Sequence, residues 1–114
     1  MDNKNRPFKR KDRVSELIWH ELGTLILREV EFENAIVTIT KVELSDKLDF
    51  VKIFVSILPE SQEEEALRVL NTRRPYLQSM LLRKINIRPM PTLDFRIDRG
   101  TLNAAGVERA LLEK

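Results

Sequence analysis

At 114 residues, 42% hydrophobic and 33% charged, the chain is long enough for one domain with its own core and too apolar to be disordered. It has no cysteine, which excludes disulfides and thiolate chemistry. It also has no apolar run near the roughly 20 residues a membrane helix needs, and no signal-peptide pattern follows Met1-Asp2-Asn3-Lys4-Asn5. The net charge is only +2, but it is segregated. Lys4, Arg6, Lys9, Arg10, Lys11 and Arg13 face only Asp2 and Asp12 in the first 13 residues, and Arg68, Arg73, Arg74, Arg83, Lys84 and Arg88 occupy an acid-free stretch up to Leu93. Acids gather instead at Glu29, Glu31 and Glu33 and from Glu60 to Glu65. Such segregation can make one face attractive to a polyanion.

Residues 1–11 lack periodicity and are expected to form a mobile basic arm. Asp12 then suits a helix N-cap, and Val14, Leu17, Ile18, Leu22 and Leu25 recur at helical spacing. The helix is predicted to run to about Val30, with Ile26 and Val30 as a second ridge. Gly23 costs about 1 kcal/mol there relative to Ala, which a close approach to a sheet would explain. The β-branched run Ala35 to Leu44 predicts a strand. After the polar break Ser45-Asp46-Lys47, Leu48 to Leu58 predicts a second, pairing as an antiparallel hairpin with Val51, Ile53, Val55 and Ile57 on one face.

Pro59 ends that strand, and Ser61-Gln62-Glu63-Glu64 matches a capping box. The second helix is predicted to bury Ala66, Leu67 and Leu70 and to stop near Asn71-Thr72. Pro75 suits the first turn of a third helix, lined by Leu77, Met80, Leu81 and Ile85. Pro89 and Pro91 bracket its stop, and Thr92 to Ile97 alternates as a third strand with Leu93, Phe95 and Ile97 inward. The tail after Gly100 is irregular, with a short helix through Val107, Ala110 and Leu111. The expected fold is α+β, in the order α-β-β-α-α-β: a three-stranded sheet packed against three helices. The expected organisation is an arm 1–11, a domain 12–98 and a tail 99–114.

Several segments also share a family pattern: Ile36-Val-Thr-Ile-Thr-Lys-Val-Glu-Leu-Ser45, then Leu48-Asp-Phe-Val-Lys-Ile-Phe-Val-Ser56, then Pro91-Thr-Leu93-Asp-Phe95-Arg-Ile-Asp98. With the opening helix, where Arg13-Val14 leads to Leu27-Arg28-Glu29-Val30, they resemble the bacterial ribosome-binding factor A family in order and spacing. That family is a relative of the type II KH RNA-binding domains, and the resemblance runs from roughly Arg13 to Leu112. It implies a KH-like fold, and a non-catalytic, cytoplasmic, monomeric assembly factor without cofactors. Such a factor binds the immature small ribosomal subunit, assists maturation of its ribosomal RNA, and leaves with help from a partner GTPase. One departure stands out. Where the family carries an Ala-x-Gly kink between helices, this chain has Arg73-Arg74-Pro75, and a proline cannot supply a glycine's backbone freedom. A smaller one is Asp46-Lys47 in the hairpin turn, where the family more often has Pro-Asp.

The leading candidate RNA contacts are Arg73, Arg74, Arg83, Lys84 and Arg88, because guanidinium groups pair phosphates bidentately and stack on exposed bases. Lys9, Arg10, Lys11 and Arg13 would add phosphate contacts and a steep salt dependence. For each of these the alternative is a solvated helix face, a balanced helix end or a solubilising terminus. Phe50 and Phe54, with Lys52 between them, are expected to pack under the first helix or at the sheet margin rather than to stack bases. Trp19 and His20 pose the same choice on the first helix. No phosphate-binding glycine loop, HExxH or nucleophile elbow is present. An enzyme is therefore not expected, and no metal is assigned to Asp94 and Asp98, which share the outward face of the third strand. Two other functions fit the same residues: a general single-stranded RNA binder of KH type, and a protein-interaction module with a basic face.

Overall fold

Val14, Ile18, Leu22, Leu25 and Ile26 form the buried stripe of helix α1, Arg10–Glu29. The computed structural model describes residues 10–100; Lys9, the rest of the expected arm and the expected helix near Val107 lie outside them. The helix starts before the predicted cap, so Arg10 and Lys11 are helical, and Asp12 sits in the first turn, where a carboxylate favours the positive end of the helix dipole. Leu17, which shares the helical spacing of Val14, Ile18, Leu22 and Leu25, is exposed.

Strands β1 (Ile36–Leu44) and β2 (Phe50–Leu58) pair antiparallel from Ile36↔Leu58 to Leu44↔Val51, with a bulge between Ile39 and Lys41. β2 starts two residues later than predicted. Leu48 takes a left-handed conformation (φ 62°), and the Ser45 hydroxyl accepts the N–H groups of Asp49 (3.0 Å) and Phe50 (3.2 Å), holding them in the turn. The same hydroxyl donates to the Asp49 carboxylate at 2.6 Å, and this bond holds the Asp49 pKa below its ordinary value. A depressed carboxyl pKa contributes stability above the unfolded value, and the contribution fades as pH falls through the folded one. Ser45→Ala is therefore expected to move the Asp49 carboxyl pKa back up, as read by NMR titration.

After a single 3-10 turn, Glu60–Gln62, helix α2 runs unbroken from Glu63 to Ile85. Two expectations are corrected here. Ser61 makes no capping hydrogen bond, because it lies inside the 3-10 turn and the helix is entered from Gln62. The predicted second and third helices are one, so a single α-helix, not two, lies between β2 and β3, while the α+β class stands. Pro75 removes one interior donor, yet Ala66, Leu70, Leu77 and Leu81 keep one helical phase on both sides of it. Each fully buried leucine contributes roughly 1.5–3 kcal/mol, enough to outweigh a lost hydrogen bond. Asn86 closes the helix in a left-handed conformation (φ 50°).

Strand β3 (Thr92–Ile97) pairs parallel to β2, from Phe50↔Thr92 to Val55↔Ile97, giving the order β1-β2-β3. α1 lies over β1 and α2 over β3. Both cover the face carrying Val51, Ile53, Val55, Ile57, Leu93 and Phe95, and the core lies between. The opposite face has no helix among the described residues. Gln78 of α2 accepts the Leu93 N–H at 3.0 Å, tying α2 to the β3 backbone. No described helix is long and apolar enough to cross a membrane.

Gly23 overturns its predicted role. A Cβ built there would meet nothing within 4 Å, so no close approach requires the glycine. Gly23→Ala is therefore expected to raise stability by about 1 kcal/mol through helix propensity alone, measured as a higher denaturation midpoint.

Candidate nucleic-acid interface

The two helices run antiparallel, and this brings together two basic runs far apart in sequence. Lys84 reaches Glu21 at 3.8 Å, and the Arg73 guanidinium donates to the Glu29 carbonyl at 3.3 Å. The start of α1 therefore lies beside the end of α2, and Arg10, Arg13, Val14 and Leu17 line one hollow with Ile87. Arg83 and Lys84 occupy the last turn of α2, and Arg88 follows Ile87 directly. Arg10, Arg13, Arg83 and Arg88 are exposed, and none has an ion-pair partner among the described residues.

Electrostatics separates these residues. Arg83 and Lys84 sit where a helix C-terminus favours cations, so part of their placement serves α2 itself. Arg10 and Arg13 stand in and beside the first turn of α1, where the dipole disfavours positive charge. The helix gains nothing from them, and an anion would find both the dipole and the guanidinium groups attractive.

The other predicted contacts go elsewhere. Arg73 caps the C-terminal carbonyl of α1 and stacks on Tyr76, 4.7 Å from the ring centroid. Tyr76 in turn donates to the Glu29 carboxylate at 3.3 Å. Arg74, one residue on, points into a different hollow with Gln78, Leu82, Met90 and Thr92, beside β3. Neighbours on a helix diverge by about 100°, so adjacent arginines serve separate surfaces. Lys11 leaves the cluster as well: it bridges Asp46 in the hairpin turn at 2.6 Å, a bond that raises its pKa above the ordinary value. Lys9 lies outside the described residues.

Phe50 and Phe54 are not under α1. Inward Val51, Ile53, Val55 and Ile57 put their even-numbered neighbours on the open face, where Phe50 is 41% exposed and the Lys41 ammonium sits 5.5 Å from the Phe54 ring centroid. Asp94 and Asp98 do not pair for a metal. Asp94 binds Arg96 at 3.0 Å, whereas Asp98 is buried and accepts the Thr40 hydroxyl from the β1 bulge. Among the described residues no three metal-ligating side chains converge. Sequence reasoning missed a hollow between α1 and β1 that exposes Trp19, Leu27 and Ile36. Its only trace in the sequence is the spacing of Trp19, Gly23 and Leu27.

Comparisons with known proteins agree with one another. The family described as Ribosome-binding factor A matches residues 10–111. Ribosome-binding factor A from Akkermansia muciniphila is 38% identical over 90 residues, 79% of this chain and 72% of the relative. The crystal structure of ribosome-binding factor A from Thermus thermophilus superposes with a TM-score of 0.69 at 26% identity, covering 81% of this chain and all of that one. The Thermus thermophilus factor as fitted into a cryo-EM map of its 30S complex gives a TM-score of 0.66 at 26% identity, covering 74% and 90%.

Proposed function

The chain belongs to the ribosome-binding factor A family, and from that premise we propose that it binds the immature small ribosomal subunit through its ribosomal RNA. It acts in the cytoplasm as an assembly factor, by binding rather than by turnover. It assists maturation of that RNA and leaves, with help from a GTPase, before translation begins. The observation that carries the RNA contact is that Arg10 and Arg13 line a hollow with Ile87 at the end of the helix pair where Arg83 stands in the last turn of α2 and Arg88 follows Ile87. Exposed guanidinium groups without an ion-pair partner among the described residues, gathered at that end, suit the phosphates of structured RNA. The fit of a Thermus thermophilus relative into a 30S map supports the small subunit as the partner.

Sedimentation of cell extract tests the reading. The protein is expected with free small subunits and not with translating ribosomes, and to be released as salt rises. Equal binding to mixed short RNAs would point instead to a general RNA binder, and binding that survives nuclease digestion of the particles would point to a protein-interaction module.

A further inference from the structure

The opposite end of α1 has a different character. Trp19, Gly23 and Leu27 follow one another at four-residue spacing and so share one side of the helix. Across a hollow of about 460 Å³ from them lie Ala35 and the first residues of β1, Ile36 to Ile39. Leu27 is 84% exposed and Ile36 67%, a clustering of large apolar side chains in water that marks docking surfaces rather than ordinary surface. Gly23 leaves the groove open, since a side chain there would project into free space. β1 is also an edge strand, so its outer backbone groups are available to an added chain.

Charge decides what fits. Phe32 lines the groove, and its chain neighbours Glu31 and Glu33 are both exposed and without an ion-pair partner among the described residues. Nearby Arg28 is already turned on Glu29 at 3.6 Å. The Glu31 and Glu33 carboxylates repel phosphate. They suit an apolar side chain flanked by Lys or Arg, the composition of the basic arms carried by proteins that lie on RNA.

We propose that this groove takes a short segment of a small-subunit protein, with an apolar residue seated between Leu27 and Ile36 and flanking bases meeting Glu31 and Glu33. The inference rests on the reading of the chain as a small-subunit binder and adds a protein contact to the RNA contact at the other helix end. The two ends of α1 then address two kinds of macromolecule.

The test places p-benzoylphenylalanine at position 27 of the full chain, bound to purified immature small subunits, and irradiates. The expected product is a crosslink to a ribosomal-protein peptide with Lys or Arg beside an apolar residue. Gly23→Met, which fills the groove, is expected to abolish it. The double variant Gly23→Met, Leu27→Lys is expected to lower subunit affinity about tenfold, with the salt slope unchanged and a thermal midpoint no lower than wild type. Crosslinks to ribosomal RNA alone, no crosslink, or undiminished affinity of the double variant would each overturn the proposal while wild-type binding leaves the RNA reading intact. If the wild-type protein does not bind subunits at all, both readings fall.

Discussion

Replacing Arg10, Arg13, Arg83 and Arg88 together with Ala is expected to weaken binding to small ribosomal subunits on the order of a hundredfold near physiological salt. Each neutralised phosphate releases a counterion and contributes roughly 0.7–0.9 to the slope of log affinity against log salt. Losing four such contacts flattens the slope by about 3. All four side chains are exposed, so folding is expected to be unaffected, with a thermal midpoint near wild type. Arg68 and Arg96 supply the control. Each is engaged with a neighbouring acid, Glu65 at 2.6 Å and Asp94 at 3.0 Å, and replacing them is expected to leave the slope unchanged. An undiminished slope in the fourfold variant would remove the helix-pair end as the RNA contact. Lys84 is left in place because its bridge to Glu21 joins the helices.

Phe95→Ala is expected to destabilise the domain by about 3–5 kcal/mol. The ring is 5% exposed and sits on the helix-covered face of β3, opposite Ile53 of β2. Its removal loses apolar burial and leaves a cavity that neighbouring strands cannot collapse into freely. For a domain whose whole stability is about 5–15 kcal/mol, a loss of this size lowers the thermal midpoint by roughly 15 °C or more. Phe50→Ala is the matched comparison, because its ring stands on the open face. Equal losses for the two variants, measured by chemical denaturation, would show that the sheet's inward face has been misassigned.

The strand faces were readable in advance because a strand's side-chain period is two. Once Val51, Ile53, Val55 and Ile57 are inward, Phe95 and Leu93 follow by the same rule on β3. That rule also places Phe50 and Phe54 outward, which excludes packing under α1, one of the two places expected for them: period outranks residue type where one face is covered. The break at Pro75 was the opposite case. A local rule about proline predicted two helices, whereas the unbroken phase of Ala66, Leu70, Leu77 and Leu81 required one. Burial along a whole face exceeds the cost of one missing donor. The Ser45 turn, which delays β2, rests on side-chain to backbone bonds that spacing alone does not reveal.

What the sequence determined by itself was the α+β class, the strands and their inward residues, the family pattern from Ile36 to Ser56 and from Pro91 to Asp98, and the existence of two basic runs. These are properties of neighbours along the chain, set by period and local chemistry. The tertiary structure alone decided which charges meet. It split Arg73 from Arg74, turned Lys11 to Asp46 and Lys84 to Glu21, and carried Arg10 and Arg13 to the end of α2. It also left Trp19, Leu27 and Ile36 uncovered around Gly23. A helix pair's direction, and the face each side chain takes within it, follow from burying both apolar stripes at once, and the positions of the surface charges follow from that.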